Sequence, residues 1–363
     1  MRRLHFETLR PICPYCRFER NLEHPLQLTS VFREVDDIIK EGVLNCSDPA
    51  CQLEFPIIDG IPILMANTRA YIADNLPHLV ERDDLCETLE SILGDSAGPG
   101  TLLNTTRQHL STYSWDNYAD LDPDESRDSK AQIAAGGVKR CLDQGLELLD
   151  KPIQGPVIDL GCSVGRSTFE LAQHCDTPVL GIDTNFAMLR LAQRVLQKGV
   201  VRYPKRRLGV VYDRKEFEVE FDAAAQVDFW ACDAQALPFA SRSYGLAVGL
   251  QVLDSVSSPC GLLESIGSML RPGGSVILAT PYDWSPQVTA IEAWIGGHSQ
   301  RGPNKGAAEP LLRTLLTPGA HPQSVKGLRL SKELLNVPWH TRIQDRSTMS
   351  YSVHLVTAEA FEP

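Results

Sequence analysis

The stretch from Val157 to Arg166 leaves this chain few folds to choose from. Val157, Ile158 and Leu160 form a short apolar run, Gly155-Pro156 breaks the chain ahead of it, and Phe169, Leu171 and Ala172 follow at helical spacing. A buried strand therefore runs into a glycine turn and then a helix. Gly161 lets the backbone turn tightly and Gly165 lets the helix start pack closely, so bare N–H groups are open to a ligand. A second apolar run, Val179 to Ile182, ends in Asp183, 22 residues after Gly161. That is close to the spacing at which dinucleotide-binding folds set a carboxylate on ribose hydroxyls. A third run, Val227 to Cys232, ends in Asp233.

Gly161-Cys162-Ser163-Val164-Gly165 also fits the G-x-S-x-G nucleophile elbow, with Ser163 as nucleophile and Asp254 plus His298 or His340 as partners. A hydrolase has no use for acids at the ends of the two following strands, whereas a nucleoside cofactor does. The three strand ends together favour the cofactor.

Asp159, Gly161, Gly165, Asp183, Cys232-Asp233-Ala234 and Leu270-Arg271-Pro272-Gly273-Gly274 resemble, in order and at family spacing, the motif series of class I S-adenosylmethionine-dependent methyltransferases. The resemblance implies a Rossmann-like α/β fold with a mostly parallel seven-stranded sheet and S-adenosylmethionine as cofactor. It implies that the turn from Asp159 to Gly165 holds the methionine part, that Asp183 takes the ribose hydroxyls, and that Asp233 and Ala234 sit at the adenine edge. Ser163 stands where the family has its second turn glycine. Gln251, at the carboxyl end of the strand Gly245–Gln251, is expected to face the methyl donor, since ligands of open α/β sheets bind at that edge.

Ahead of this fold, Cys13-Pro14-Tyr15-Cys16 and Cys46-Ser47-Asp48-Pro49-Ala50-Cys51 offer two thiolate pairs, four of ten cysteines in the chain. Four sulfurs on two turns suit a structural tetrahedral zinc ion; four buried reduced thiols is the competing reading. Glu54 to Leu64 resembles the closing strand and turn of the small zinc-ribbon activators that partner tRNA, rRNA and release-factor methyltransferases. The expected organisation is a zinc ribbon over 1–66, a helical linker and lid over 67–129, and the methyltransferase domain over 130–363, with insertions at 199–226 and 282–336. In that insertion a hairpin is expected from alternation in Leu208–Tyr212 and Phe217–Phe221. The linker reads as one amphipathic helix over 67–93 broken at Gly94–Gly100, and Tyr113, Trp115 and Tyr118 read as lid or core.

Net charge −11 and pI near 5.3 argue against nucleic acid, which wants a basic face. The one basic cluster, Arg202 to Arg207, reads as a solvated loop or a local phosphate site. With no apolar run near membrane-spanning length and no signal-like start, the expectation is a cytoplasmic chain without a membrane partner.

Tyr282-Asp283-Trp284, Trp294-Ile295-Gly296-Gly297, Val337 to Arg342 and Ser350 to His354 resemble the C-terminal methyltransferase domain of ovothiol synthases, which methylates the imidazole of a thiol-bearing histidine. The iron-binding motif of the sulfur-inserting half of such synthases is missing from this sequence. The resemblance implies a small imidazole- or thiol-bearing acceptor. Tyr282 and Trp284, with Trp294, would wall its pocket, and Arg342 and Arg346 would grip a carboxylate, unless they are surface arginines. The alternatives are a methyltransferase of tRNA, rRNA or protein, or a non-catalytic subunit that docks a protein partner through the zinc ribbon.

Overall fold

A parallel sheet must be covered on both faces and along its edges, and here the chain does part of that with its first 66 residues. The computed structural model describes residues 1–125 and 134–362. The chain opens with α1 (Arg3–Leu9) and α2 (Pro14–Arg20), then β1 (Leu26–Val35), β2 (Ile38–Cys46), β3 (Glu54–Ile58) and β4 (Ile61–Pro62), which pair in that order as one antiparallel sheet. Cys13 caps α2 and Pro14 occupies its first turn, where a missing N–H costs nothing. Two-residue loops close both hairpins. Asp36 and Asp37 have φ of 48° and 62°, and Asp59 and Gly60 have φ of 54° and 91°, the left-handed pairs that match strand twist.

Next come α3 (Thr68–Leu79), α4 (Glu87–Ala97), α5 (Leu102–Tyr118) and α6 (Gly137–Glu147). The expected single helix over 67–93 is two, separated at 80–86, and Gly94 lies inside α4 against the Arg107 guanidinium rather than in the break. The break comes at Gly98 and Gly100. The 129/130 boundary and the start of the helix expected from Lys130 lie outside the described residues.

The second sheet and the elements around it are β5 (Val157–Leu160), α7 (Arg166–Ala172), β6 (Val179–Asp183), α8 (Phe186–Lys198), the separate two-stranded hairpin β7 (Val200–Leu208) and β8 (Val211–Glu218), then β9 (Val227–Ala231), β10 (Tyr244–Leu250), α9 (Pro259–Met269), β11 (Leu270–Thr280), α10 (Ala308–Leu315), β12 (Leu328–Gln344) and β13 (Ser347–Ala360). Its seven strands run in the order β12-β13-β11-β10-β5-β6-β9, and β13 alone runs against the rest. This is the Rossmann-like, mostly parallel sheet expected. The strand order reverses between β5 and β10, the switch point at which such sheets bind ligands. The hairpin of the insertion is present in a different register. Leu208 and Val211 flank its turn, because Gly209 takes φ 58°, so the alternating run read as a strand holds the reversal.

Between β9 and β10 the chain crosses without a helix, which leaves Trp230 and Phe239 to be covered by something else. The first unit covers them: Cys13, Leu44, Phe55 and Leu64 join Trp230, Leu237 and Phe239 in one buried cluster. It also closes the sheet edge. Ile63 bridges Ala231 in parallel, the Leu64 N–H donates to the Ala231 carbonyl at 2.9 Å, and the Arg2 N–H donates to the Asp228 carboxylate at 2.8 Å. Among the described residues no helix is long and apolar enough to cross a membrane.

Phe55 is fully buried at this junction and Phe32 on β1 is 71% exposed. Phe55→Ala is expected to lower unfolding free energy by about 3–5 kcal/mol in urea melts while Phe32→Ala stays within about 0.5 kcal/mol. Equal effects would contradict the shared core.

Candidate functional site

At the end of β5 the backbone enters the left-handed region three times, at Gly161 (φ 69°), Ser163 (φ 54°) and Gly165 (φ 95°). A Cβ at 165 would stand 2.7 Å from the Phe229 ring and 2.9 Å from Ala192, so only glycine fits the approach of α7 to the sheet. The buried Asp159 carboxylate accepts the Ser167 and Thr168 hydroxyls, each at 2.6 Å, and so ties β5 to the first turn of α7. Burial pushes its pKa up to about 6. At the end of β6, Asp183 accepts the Ser163 N–H at 2.9 Å and the Asn185 N–H at 2.8 Å, and burial raises its pKa as well. Asp233, after β9, accepts the Gln235 N–H at 2.9 Å.

These strand ends open onto a cavity of about 600 Å³ at the switch point. Gly161, Ser163, Asp183, Asp233, Ala234 and Gln251 line it; Asp159 and Gly165 lie behind the turn and shape it. Gln251 has φ 56° and a buried amide nitrogen without a partner among the described residues.

Across the cavity stands a second wall. Asp254 follows β10, Asp283 follows β11, Tyr351 and Trp339 come from β13 and β12, and Tyr113 and Asp116 from α5. The Asp283 N–H donates to Asp254 at 2.8 Å, and the Tyr351 hydroxyl donates to Asp283 at 3.1 Å. One oxygen of Asp116 accepts the Trp339 indole N–H at 2.8 Å. Burial pushes the Asp116 pKa up to about 7, against the opposing pull of that hydrogen bond. Tyr113, Asp283, Trp339 and Tyr351 lie in stretches that the sequence marks, but the pairing of Asp116 with Trp339 is not readable there. Asp116 and Trp339 lie 223 positions apart, and no local pattern marks them as partners.

Other expected site residues lie elsewhere. Tyr282 turns away from the cavity with φ 58°, and its hydroxyl lies 2.7 Å from His354 Nδ1. His354 Nε2 lies 2.9 Å from Glu333, which also pairs with Arg313 at 2.8 Å. Trp284 stacks on Trp294 with ring centroids 6.3 Å apart, outside the cavity lining. The aromatic-glycine stretch thus builds the loop that presents Pro281 and Asp283. Arg342 pairs with Glu125 at 3.1 Å and lies over the Trp115 ring, and Arg346 is exposed in the turn between β12 and β13. Neither arginine lines the cavity. Of the basic cluster, Arg202 pairs with Glu90, Lys205 with Glu125 and Arg207 with Asp213. Ser163 Oγ contacts Met188 Sδ at 3.4 Å, while His298 and His340 make their contacts at Ile291 and Ser350, so the hydrolase constellation is not assembled.

Outside the cavity lining, Cys13, Cys16, Cys46 and Cys51 bring their four sulfurs within 4.8 Å of one another. The Cys13–Cys51 and Cys16–Cys46 separations are 3.9 and 3.7 Å. Tetrahedral zinc with Zn–S bonds of about 2.3 Å would set sulfurs about 3.8 Å apart, so this donor set fits that ion. The Cys16 and Asp48 N–H groups point at the sulfurs of Cys13 and Cys46.

The family model described as a methyltransferase domain matches residues 128–305. The O-methyltransferase cnsE of Penicillium expansum is 28% identical over 157 residues, covering 43% of this chain and 48% of that protein. The ubiquinone biosynthesis O-methyltransferase of Ruegeria pomeroyi is 24% identical over 213 residues, 54% of this chain and 83% of that protein. A solved S-adenosylmethionine-dependent methyltransferase of Methanosarcina mazei matches with a TM-score of 0.37 and 18% identity over 60% of this chain and 97% of its own. The chain thus spans about half the length of the first of these relatives.

Two outcomes test this geometry. Asp183→Ala is expected to weaken cofactor binding at least tenfold in calorimetry, whereas Tyr282→Phe, which loses only the His354 contact, leaves it unchanged. The second outcome concerns pH. Native Asp116 holds its proton up to about pH 7, whereas the unfolded chain releases it near pH 4. The native state therefore binds the extra proton between those values, and this contribution to stability is lost as pH rises through them. Asp116→Asn is expected to gain on the order of 3 kcal/mol relative to the parent between pH 4 and pH 8 in urea melts. No relative gain would place the native carboxyl in an ordinary environment.

Proposed function

From the match of residues 128–305 to a family model described as a methyltransferase domain, we propose that this chain transfers a methyl group from S-adenosylmethionine to a small imidazole- or thiol-bearing metabolite. The observation that carries the reading is the cavity at the β5–β10 switch point, into which the glycine turn and two acid-ended strands converge. When bound, S-adenosylmethionine supplies an electrophilic methyl on a sulfonium. In this reading the turn from Gly161 to Ser163 receives the methionine part, Asp183 the ribose hydroxyls, and Asp233 with Ala234 the adenine edge; Asp159 positions the turn. Gln251 offers its unpartnered amide to the ligand. A neutral imidazole nitrogen or a thiolate needs little acid or base help, so placement of nucleophile, methyl and sulfur in line does the catalysis, on the order of 7 kcal/mol in well-oriented cases.

The ovothiol-synthase resemblance of the loop after β11 supports a nitrogen or sulfur acceptor, and the names of the two curated relatives add oxygen acceptors to the same class of small molecules. A nucleic-acid substrate fits poorly, because among the described residues no lysine, arginine or histidine lines the cavity.

The first 66 residues, in this reading, are a zinc ribbon whose ion holds α2 and the end of β2 together. Its buried residues Leu44, Phe55 and Leu64 pack with the chain's own sheet, which supports a structural role. Elemental analysis is expected to find about one zinc per chain, lost in Cys13→Ser with Cys16→Ser, and chelation is expected to lower the melting temperature. Metal that survives both substitutions would remove the site.

Incubation with labelled methyl donor, a small-metabolite extract and total RNA tests the activity. Label is expected in a small polar product; label confined to RNA would transfer the assignment to a macromolecular substrate.

A further inference from the structure

Among the described residues five aspartates line the cavity, Asp116, Asp183, Asp233, Asp254 and Asp283, and no lysine, arginine or histidine does. The cofactor, in the reading above, uses Asp183 and Asp233. Asp116, Asp254 and Asp283 remain.

These three form one wall. Asp116 holds the Trp339 indole at 2.8 Å, Trp339 is the cross-strand partner of Tyr351, the Tyr351 hydroxyl donates to Asp283 at 3.1 Å, and the Asp283 N–H donates to Asp254 at 2.8 Å. Tyr113 lines the same cavity, and burial first, then the charges of Asp183, Asp116 and Asp254, raises its pKa. Asp116 is only 4% exposed, and its Oδ1 has no hydrogen-bond partner among the described residues. A buried carboxylate oxygen left without a donor is costly unless a ligand supplies one. The aromatic faces of Trp339, Tyr351 and Tyr113 beside the carboxylates favour positive charge further. The arginines that would have received an acceptor's carboxylate, Arg342 and Arg346, are outside the cavity.

We propose that the methyl acceptor is a small cation without a free carboxylate or phosphate: its protonated amine is held through N–H groups by Asp116, Asp254 and Asp283, while a separate unprotonated ring nitrogen or thiolate of the same molecule attacks the methyl carbon, the C–S bond breaks, and S-adenosylhomocysteine leaves. This rests on the methyltransferase reading and narrows its acceptor. An amino acid with a free carboxylate brings an anionic group against Asp254 and Asp283, and like charges so placed repel; Asp116, whose pKa burial pushes up to about 7, adds to that as it ionises on meeting a cation. A decarboxylated or amidated relative of the same ring system brings no such group.

The test is fractionation of a small-molecule extract at pH 7 on cation and anion exchangers, followed by incubation of each fraction with the full chain and labelled methyl donor. Label is expected in the fraction retained by the cation exchanger, and Asp254→Asn and Asp283→Asn are each expected to lower kcat/KM for that fraction at least tenfold while the affinity for S-adenosylhomocysteine stays unchanged. Label in the flow-through, where zwitterions run, or in the anion-retained fraction overturns the cationic acceptor and leaves the methyltransferase reading standing. Unchanged kcat/KM in both variants also overturns it. Label in no fraction, with RNA labelled or not, sinks the small-molecule reading and this inference with it.

Discussion

A single buried carboxylate sets the geometry on which the site depends. Asp159 sits at the end of β5 with both α7 hydroxyls, Ser167 and Thr168, on one oxygen. That grip fixes where the helix begins relative to the strand, and so forces the intervening residues through a turn that Gly161 and Gly165 can adopt without strain and Ser163 adopts at some cost. Asp183 then takes the Ser163 N–H and locks the turn to the next strand. Two carboxylates drawn out of water are expensive, and each is held by donors that also define the ligand's floor. The raised pKa of Asp159 is the visible cost of that burial.

The sheet that carries this turn is incomplete without the first 66 residues. Parallel strands need cover on both faces, yet β9 passes to β10 with no helix between them. Trp230 and Phe239 would face water there, and the outer edge of β9 would be free to pair with another chain. Leu44 and Phe55 fill the face, and Ile63 with Leu64 pairs the edge. The cysteine cluster lies at the far end of the same buried layer, so holding α2 to β2 holds the cover in place.

The parts of the fold and of the site that could be read in the sequence were those encoded over short distances. Short apolar runs ending in Asp183 and Asp233, and the glycines at 161 and 165, carry their own spacing. So do the two cysteine pairs, although that they meet depends on the hairpin of β1 and β2, which no Asn-Gly or Asp-Gly dipeptide announces: the Asp36-Asp37 turn takes left-handed backbone with two aspartates. The acceptor wall was hidden because its members come from α5, β10, β11, β12 and β13, and only the closed sheet brings Asp116 to Trp339. Tyr282 misled for a different reason. Its position beside the site is correct, but a left-handed backbone at that residue swings the ring to His354 and gives the cavity to Asp283 instead. Arg342 was drawn off by Glu125, a partner more than two hundred residues away in the chain.

The central claim is that the glycine turn and the acid-ended strands form the cofactor floor, and amide hydrogen exchange with and without S-adenosylhomocysteine tests it most directly. The account requires added protection at 161–165, 183–185 and 232–235, with the amides of the cysteine turns at 13–16 and 46–51 unaffected. Protection that spares the glycine turn, or that appears only around the cysteines, would contradict it.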